Sequence, residues 1–172
     1  MDLLEFVLER VVEESASVRT LVFTGKAPDY RPGNFFRLWL PDGNGKKSFR
    51  PYSAASHPRE GGLKLCIKKN GEFSGRVWKL RGGDSVEMDG PHGNFVLAAN
   101  DSKRVFVAGG VGISALRGMI MQTLLEGKNA VLFHSARTLS DVTYIGEMKA
   151  LELSTPLFKY YPAVTREEMP DV

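Results

Sequence analysis

Apolar positions in the first half of the chain recur at every second residue; in the second half they change to continuous runs and helical spacing. Residues 3 to 12 and 18 to 24 are rich in Leu, Val and Phe, and the polar Glu13-Glu14-Ser15-Ala16-Ser17 between them predicts a hairpin connection. Pro32-Gly33 interrupts the pattern, after which Phe36, Leu38 and Leu40 alternate with Phe35, Arg37 and Trp39 as a third strand. Pro41-Asp42-Gly43-Asn44-Gly45 is turn chemistry, and Phe49 to Ala55 makes a fourth strand. Leu63, Leu65 and Ile67 alternate with Lys64, Cys66 and Lys68, which sends one face to a core and the other to solvent or ligand. Ser74 to Leu80 reads as a short helix and Asp84 to Asp89 as a sixth strand. Short strands with regular turn signals predict a six-stranded antiparallel barrel.

The period then changes. Val105-Phe106-Val107-Ala108 is an apolar run ended by Gly109-Gly110-Val111-Gly112, and Leu116, Met119, Ile120 and Leu124 recur at helical spacing as far as Gly127. Ala130 to Phe133 is a second buried-strand run. Ser140 is placed to cap a helix carrying Tyr144, Met148 and Leu151 on one face, and Leu157 to Tyr161 is a third strand. Strands and helices in this alternation imply a parallel sheet. The small polar stretch Ala99-Asn100-Asp101-Ser102 marks the boundary, giving domains 1–99 and 100–172.

Composition removes several classes of function. With 42% hydrophobic and 25% charged residues the chain is globular, and a net charge of +3 from scattered Lys and Arg gives no stripe for nucleic acid. A single cysteine, Cys66, excludes a disulfide framework, a structural zinc site and a cysteine-held iron–sulfur cluster within these residues. No apolar window is long enough to span a membrane and no leader is visible at Met1-Asp2-Leu3-Leu4-Glu5, so the cytoplasm is the expected location. Cys66 itself reads as a small half-buried strand residue on the polar face, with no activating base near it in sequence.

Four short stretches carry candidate chemistry. Arg50-Pro51-Tyr52-Ser53 sets a cation, a rigid turn residue, a flat aromatic and a hydroxyl in one extended segment, with Arg50 and Tyr52 on one side and Ser53 on the other. That set suits a flat ligand carrying phosphate. Gly71-Glu72-Phe73-Ser74 precedes the short helix, where Ser74 and the following amides can receive a diphosphate. Gly90-Pro91-His92-Gly93-Asn94-Phe95 forms a tight turn after the last barrel strand. Gly110-Val111-Gly112-Ile113-Ser114-Ala115 has G-x-G-x-x-G/A spacing directly after a strand and opening a helix, where small residues admit a pyrophosphate to the backbone. Taken alone it reads equally as a glycine-rich turn with no ligand. At the end of the next strand stands His134-Ser135-Ala136-Arg137; an arginine there suits a 2′-phosphate and favours NADP, while Asp141 keeps NAD open. His134 reads as a plain strand-end histidine.

In this order the four stretches resemble the ferredoxin–NADP reductase-like flavoprotein family, over the whole chain. The matches are R-x-Y-S at Arg50, Tyr52 and Ser53; G-x-F-[ST] at Gly71, Phe73 and Ser74; G-P-x-G-x-F at Gly90, Pro91, Gly93 and Phe95; and G-G-x-G-I-[ST] at Gly109, Gly110, Gly112, Ile113 and Ser114. The resemblance implies a Greek-key barrel binding FAD, followed by a partial doubly wound domain binding NAD(P)H. It implies Arg50 on the flavin phosphate with Pro51 beside it, Tyr52 against the ring and Ser53 near its N5, these last two as the catalytic pair. Ile67, Lys68 and Lys69 would line the flavin, with Gly71, Phe73 and Ser74 at its diphosphate. Gly109 to Ser114 would lie under the nicotinamide nucleotide, with Ser135 and Arg137 at its adenosine end. The implied activity is hydride transfer from NAD(P)H to FAD and electron release to a separate protein or small oxidant, such as ferredoxin, an iron–sulfur protein or a haem protein.

Ala115 stands where such proteins carry Pro, and Asn34 where they carry Gln. The family also continues past the third strand, so the first strand of this second sheet is expected as an unpaired apolar edge. The expectation is therefore a fragment, or a chain completed by a partner. Two rival readings stand beside the reductase: a non-catalytic flavin-binding electron-transfer component of a larger complex, and a barrel with a nucleotide fold in which all four stretches are structural turns.

Overall fold

The computed structural model describes residues 3–42, 44–99 and 103–168. Six strands, β1 (Leu4–Ser15), β2 (Val18–Thr24), β3 (Phe35–Pro41), β4 (Lys47–Ser53), β5 (Leu63–Lys68) and β6 (Ser85–His92), form one antiparallel sheet in the order β4-β3-β6-β1-β2-β5. A single bridge between Ala54 and Leu65 brings its two ends together, so the sheet curls into a barrel with an open seam between β4 and β5. Phe6, Leu8, Leu21, Phe23, Phe36, Leu38, Leu63, Leu65, Ile67 and Met88 fill the interior. Their strict alternation along each strand is the reason register is fixed: a slip of one residue would turn this set outward.

The second half holds three parallel strands, β7 (Arg104–Gly109), β8 (Ala130–Ala136) and β9 (Phe158–Val164), in chain order. Helices α2 (Ile113–Leu125) and α3 (Ile145–Ser154) connect them, and α1 (Glu72–Val77) belongs to the barrel. The expected unpaired edge is present: among the described residues β7 pairs with β8 alone. One face of this sheet is also bare, carrying Val105 and Val107 at 58% and 75% exposure beside the stacked rings of Phe133 and Tyr161. No helix among the described residues is long and apolar enough to cross a membrane. Of the expected linker, Asn100, Asp101 and Ser102 lie outside the described residues, as does Gly43 of the turn after β3.

Several local expectations are corrected. The face of β5 assigned to solvent or ligand is covered at its centre, while Lys68 stays exposed: Cys66 is 5% exposed and joins Val18 and Ala55 in an apolar cluster with Ile113, Met119 and Tyr144 of the second half. Burial pushes its thiol up to about 11, against hydrogen bonds from Tyr144 and Thr20, which leaves it inert at neutral pH. Ser140 caps no helix. It sits in a 3-10 turn, Leu139–Asp141, where the Thr138 hydroxyl bonds the Asp141 carboxylate at 2.9 Å, and α3 starts only at Ile145. Tyr144 takes a left-handed backbone (φ 62°) and buries its ring in the same cluster, with its hydroxyl 2.7 Å from that of Thr20. The first hairpin is tighter than the polar run suggests, since β1 extends to Ser15. β6 likewise runs through Gly90-Pro91 to His92 instead of ending before a turn there.

Apolar contact and one ion cluster join the two halves. Arg117 on α2, 5% exposed, forks onto both oxygens of Glu60 at 2.7 and 2.9 Å, reaches Glu147 on α3 at 2.6 Å and donates to the Ala55 carbonyl at 2.9 Å. Burial pushes the Glu60 carboxyl up, but hydrogen bonds from Arg117, Lys64 and the His57 amide outweigh that and hold it at about 2. Close approach is enabled by glycine: a Cβ on Gly118 would lie 2.9 Å from the Ser56 carbonyl, and one on Gly33 (φ 97°) 1.9 Å from the Phe95 carbonyl and 2.2 Å from Met119.

Two outcomes are expected. Gly33→Ala combines a left-handed backbone with a steric overlap, a cost of about 2 kcal/mol or more, so the thermal midpoint falls by roughly 5 °C; an unchanged midpoint contradicts the packing described. A carboxyl held below its ordinary value of 4.5 stabilises the fold above that pH and ceases to as pH falls toward about 2. The stability difference between the parent and Glu60→Gln, measured by denaturant unfolding, therefore shrinks across that window and is flat above it.

Candidate functional site

The open seam of the barrel is where the first two stretches meet. Among the described residues β4 pairs only with β3, and the register sets Arg50 opposite Leu38 and Tyr52 opposite Phe36. Both therefore stand on the core-facing side of the sheet, at its rim, where Arg50 stays exposed and Tyr52 packs partly against the barrel core. Burial pushes the Tyr52 phenol up to about 12, eased by the charge of Arg50, so it stays protonated at neutral pH. Ser53 faces the other way, in one row with Phe35 and His92. Pro51, opposite Arg37, is exposed at the sheet edge.

The start of α1 lies beside this rim. The Arg50 guanidinium sits 5.3 Å from the centre of the Phe73 ring, and Arg76 lies 5.2 Å from the same ring, tied to the Pro41 carbonyl and the Ser48 hydroxyl. Among the described residues no carboxylate pairs with Arg50, whose other contact is the Phe49 carbonyl at 2.7 Å. An uncompensated guanidinium next to a turn whose Gly71 (φ 88°) leaves open space suits a diphosphate. Ser74 is buried, and its hydroxyl donates to the Gly71 carbonyl at 3.1 Å and accepts the Asn70 amide at 2.7 Å, so it holds the turn together.

The row behind Ser53 is anchored by Asp89, 2% exposed. Burial raises this carboxyl, yet bonds from His92 (2.5 Å), Trp39 (2.5 Å) and Arg37 (2.7 Å) bring it below the usual carboxylate range. Asp89 fixes the outer face of β3 and β6.

The glycine-rich turn of the second half borders a cavity of about 270 Å³. Its walls are Gly109, Gly110 and Val111 on one side, Ser135, Ala136, Arg137, Asp141 and Thr165 on another, and Ser17, Val18 and Lys68 from the barrel. Gly109 and Gly112 have ordinary backbone angles, and a Cβ on either would meet nothing within 4 Å. Neither conformation nor packing asks for glycine there, so the space above the turn suits the close approach of a ligand. Ile113 and Ser114 are buried at the start of α2 and support the turn from below. His134, 1% exposed, has a definite role in this: burial keeps it neutral, and its Nε2 donates to the Gly110 carbonyl at 2.9 Å, bracing the turn.

β5 connects the two places. The side chain of Ile67 lies in the barrel core and offers only its backbone outward. Lys68 lines the cavity beneath the glycine turn, while Lys69 donates its amide to the Ser17 carbonyl and sits 5.2 Å above Trp78. β5 thus forms one side of the seam and, at Lys68, part of the wall of the cavity. Sequence patterns do not single out Ser17, Val18 or Thr165; they reach the cavity through contacts between distant segments, which no local pattern encodes. A separate cavity of about 380 Å³ touches none of the four stretches, and its Arg117 and Glu147 are already paired with each other.

The chain matches two domain families. Residues 5–97 match the oxidoreductase FAD-binding domain and residues 106–171 the oxidoreductase NAD-binding domain. A flavohemoprotein from Candida albicans is 35% identical over 146 residues, covering 78% of this chain and 36% of that protein. The Na(+)-translocating NADH-quinone reductase of Methylococcus capsulatus has a component that is 28% identical over 152 residues, 78% of this chain and 37% of that one. The chain thus spans little more than a third of these relatives. Among solved structures, the FAD/NAD-binding domain of a nitric oxide dioxygenase from Vibrio cholerae superposes with a TM-score of 0.93 at 19% identity, over 100% of this chain and 78% of that one. A cytochrome P450 reductase from Amycolatopsis gives 0.86 at 24%, over 98% and 54%. The chain belongs to the FAD- and NAD-binding oxidoreductases of the ferredoxin–NADP reductase family.

Proposed function

We propose that this chain takes a hydride from NAD(P)H onto FAD and releases the electrons to a separate acceptor. The observation that supports the reading is that one strand, β5, borders the seam carrying the uncompensated Arg50 on one side and, at Lys68, the cavity of the open glycine turn. FAD, when bound, accepts a hydride and gives up electrons singly, which a nicotinamide does not do. The residues supply orientation and charge. Arg50, beside Phe73 and Gly71, holds the diphosphate; Tyr52 offers a flat, neutral ring face at the rim; and Ser53 offers a hydroxyl at the far end of β4. Gly109, Gly110 and Gly112 admit the nucleotide's pyrophosphate, and Lys68 and Arg137 contribute positive charge to the same cavity. Arg137 favours a 2′-phosphate and so NADP; Asp141 in the same wall favours a free ribose hydroxyl and so NAD. We place the domain boundary between β6 and β7, after Ala99, and keep the cytoplasm as the expected location. The acceptor class is a haem, an iron–sulfur centre, a ferredoxin or a quinone.

One observation favours a second reading. The bare face of Val105, Val107, Phe133 and Tyr161 and the open edge of β7 suit a chain that binds flavin but needs a further segment or partner before it is reduced efficiently.

The purified protein supplied with FAD is expected to be yellow, with a band near about 450 nm that bleaches under anaerobic NADPH or NADH. A colourless folded protein contradicts both readings; colour without bleaching selects the second. Arg50→Ala is expected to weaken FAD binding by about 1.5 to 3 kcal/mol through the lost charge-assisted contact, and unchanged retention in a flavin titration would remove Arg50 from the site.

A further inference from the structure

We infer that Arg117 is a positioning residue: its single guanidinium ties the two helices that follow the walls of the glycine-turn cavity to the β4–β5 connection of the barrel. The inference rests on the proposed hydride transfer for its consequence, but on geometry alone for the joint itself.

Each wall of the cavity is carried by one helix of the second half. The glycine turn runs directly into α2, one turn before Arg117, and the Ser135 to Asp141 wall runs into α3, which carries Glu147. Arg117 binds Glu147 through Nε at 3.0 Å and Nη2 at 2.6 Å, and Glu60 of the barrel through Nη1 at 2.7 Å and Nη2 at 2.9 Å. Nη1 also donates to the carbonyl of Ala55, the residue after the single bridge across the seam. Glu60 is itself pinned by Lys64 at 2.5 Å and by the His57 amide at 2.6 Å. Two helices and the β4–β5 connection of the barrel are thereby fixed to one planar group.

The chemistry explains why this is a matter of register more than of adhesion. A buried ion cluster repays little net stability after desolvation, and apolar residues of the same volume often replace one without loss. The adhesion comes from Val18, Ala55 and Cys66 against Ile113 and Met119, contacts that tolerate small slides. A guanidinium fork onto two carboxylates does not slide, because its donors are coplanar and fixed in direction. A lysine at 117 would keep the charge and lose the fork.

The test uses two variants, Arg117→Met and Arg117→Met with Glu60→Gln, the second removing the more buried of the two carboxylates that the first strands. Spin labels on Lys79→Cys of the barrel and Leu153→Cys of α3, both exposed, report the distance between the halves; Cys66 is buried and does not compete for label. The parent is expected to give one narrow distance distribution and both variants a broadened one. In a rapid-mixing experiment at saturating NADPH or NADH, flavin bleaching is expected to slow by about 10- to 100-fold while FAD retention is unchanged. Arg117→Lys should fall between parent and Arg117→Met in both readouts. A double variant that keeps the narrow distribution overturns the inference whatever its turnover, and a broadened one that bleaches at the parent rate overturns the positioning role. A parent that is never bleached counts against the proposed function instead, and the distance measurement still decides the joint.

Discussion

The outside of the barrel is buried twice, and that constraint decides where both candidate half-sites stand. β2 and β5 pack Leu21, Phe23, Leu63, Leu65 and Ile67 inward as any barrel strands would. Their outward residues Val18, Thr20 and Cys66 are then covered by α2 and Tyr144 of the second half. Each aliphatic side chain fully removed from water there contributes on the order of 1.5 to 3 kcal/mol, against roughly 0 to 1 kcal/mol for an exposed ion pair such as Arg10 with Glu9. Apolar burial therefore holds the halves together. Because β5 carries this contact, the chain leaving it at Lys68 and Lys69 runs along the cavity of the glycine turn and the start of β2.

The same constraint accounts for what is legible in the sequence and what is not. Strands with one solvated face announce themselves by alternation, so β1, β3 and β5 are legible to within a few residues, and the glycine turn is legible by its place between a strand and a helix. The alternation of Lys64, Cys66 and Lys68 misleads for a physical reason: a polar-looking face is read as solvated, and nothing local says that a distant helix will cover it. Ser140 misleads because capping chemistry is shared by helices and short turns, and the Thr138 to Asp141 bond chooses the turn. Arg117 carries a signal of its own. A charged residue followed by Gly118, between Leu116 and Met119 on a helix, interrupts an apolar stripe at some cost unless a partner and a close neighbour both wait for it.

The two stretches expected to act together are brought together, although by different means than their order suggests. Arg50 and the start of α1 converge across the barrel seam, with the Phe73 ring between Arg50 and Arg76. The Ser74 hydroxyl closes its own turn, and Lys68 lines the cavity of the glycine turn. His134, a plain strand-end histidine by sequence, braces the cradle through the Gly110 carbonyl.

A crystal structure of the chain with FAD and an oxidised nicotinamide nucleotide bound tests the central claim most directly. The account places the flavin diphosphate beside Arg50 and Gly71, its ring along Tyr52, and the nucleotide pyrophosphate over Gly109 to Gly112, with the two flat rings meeting near the end of β5. Density for either molecule elsewhere, or two rings held apart by the covered face of β5, would contradict it.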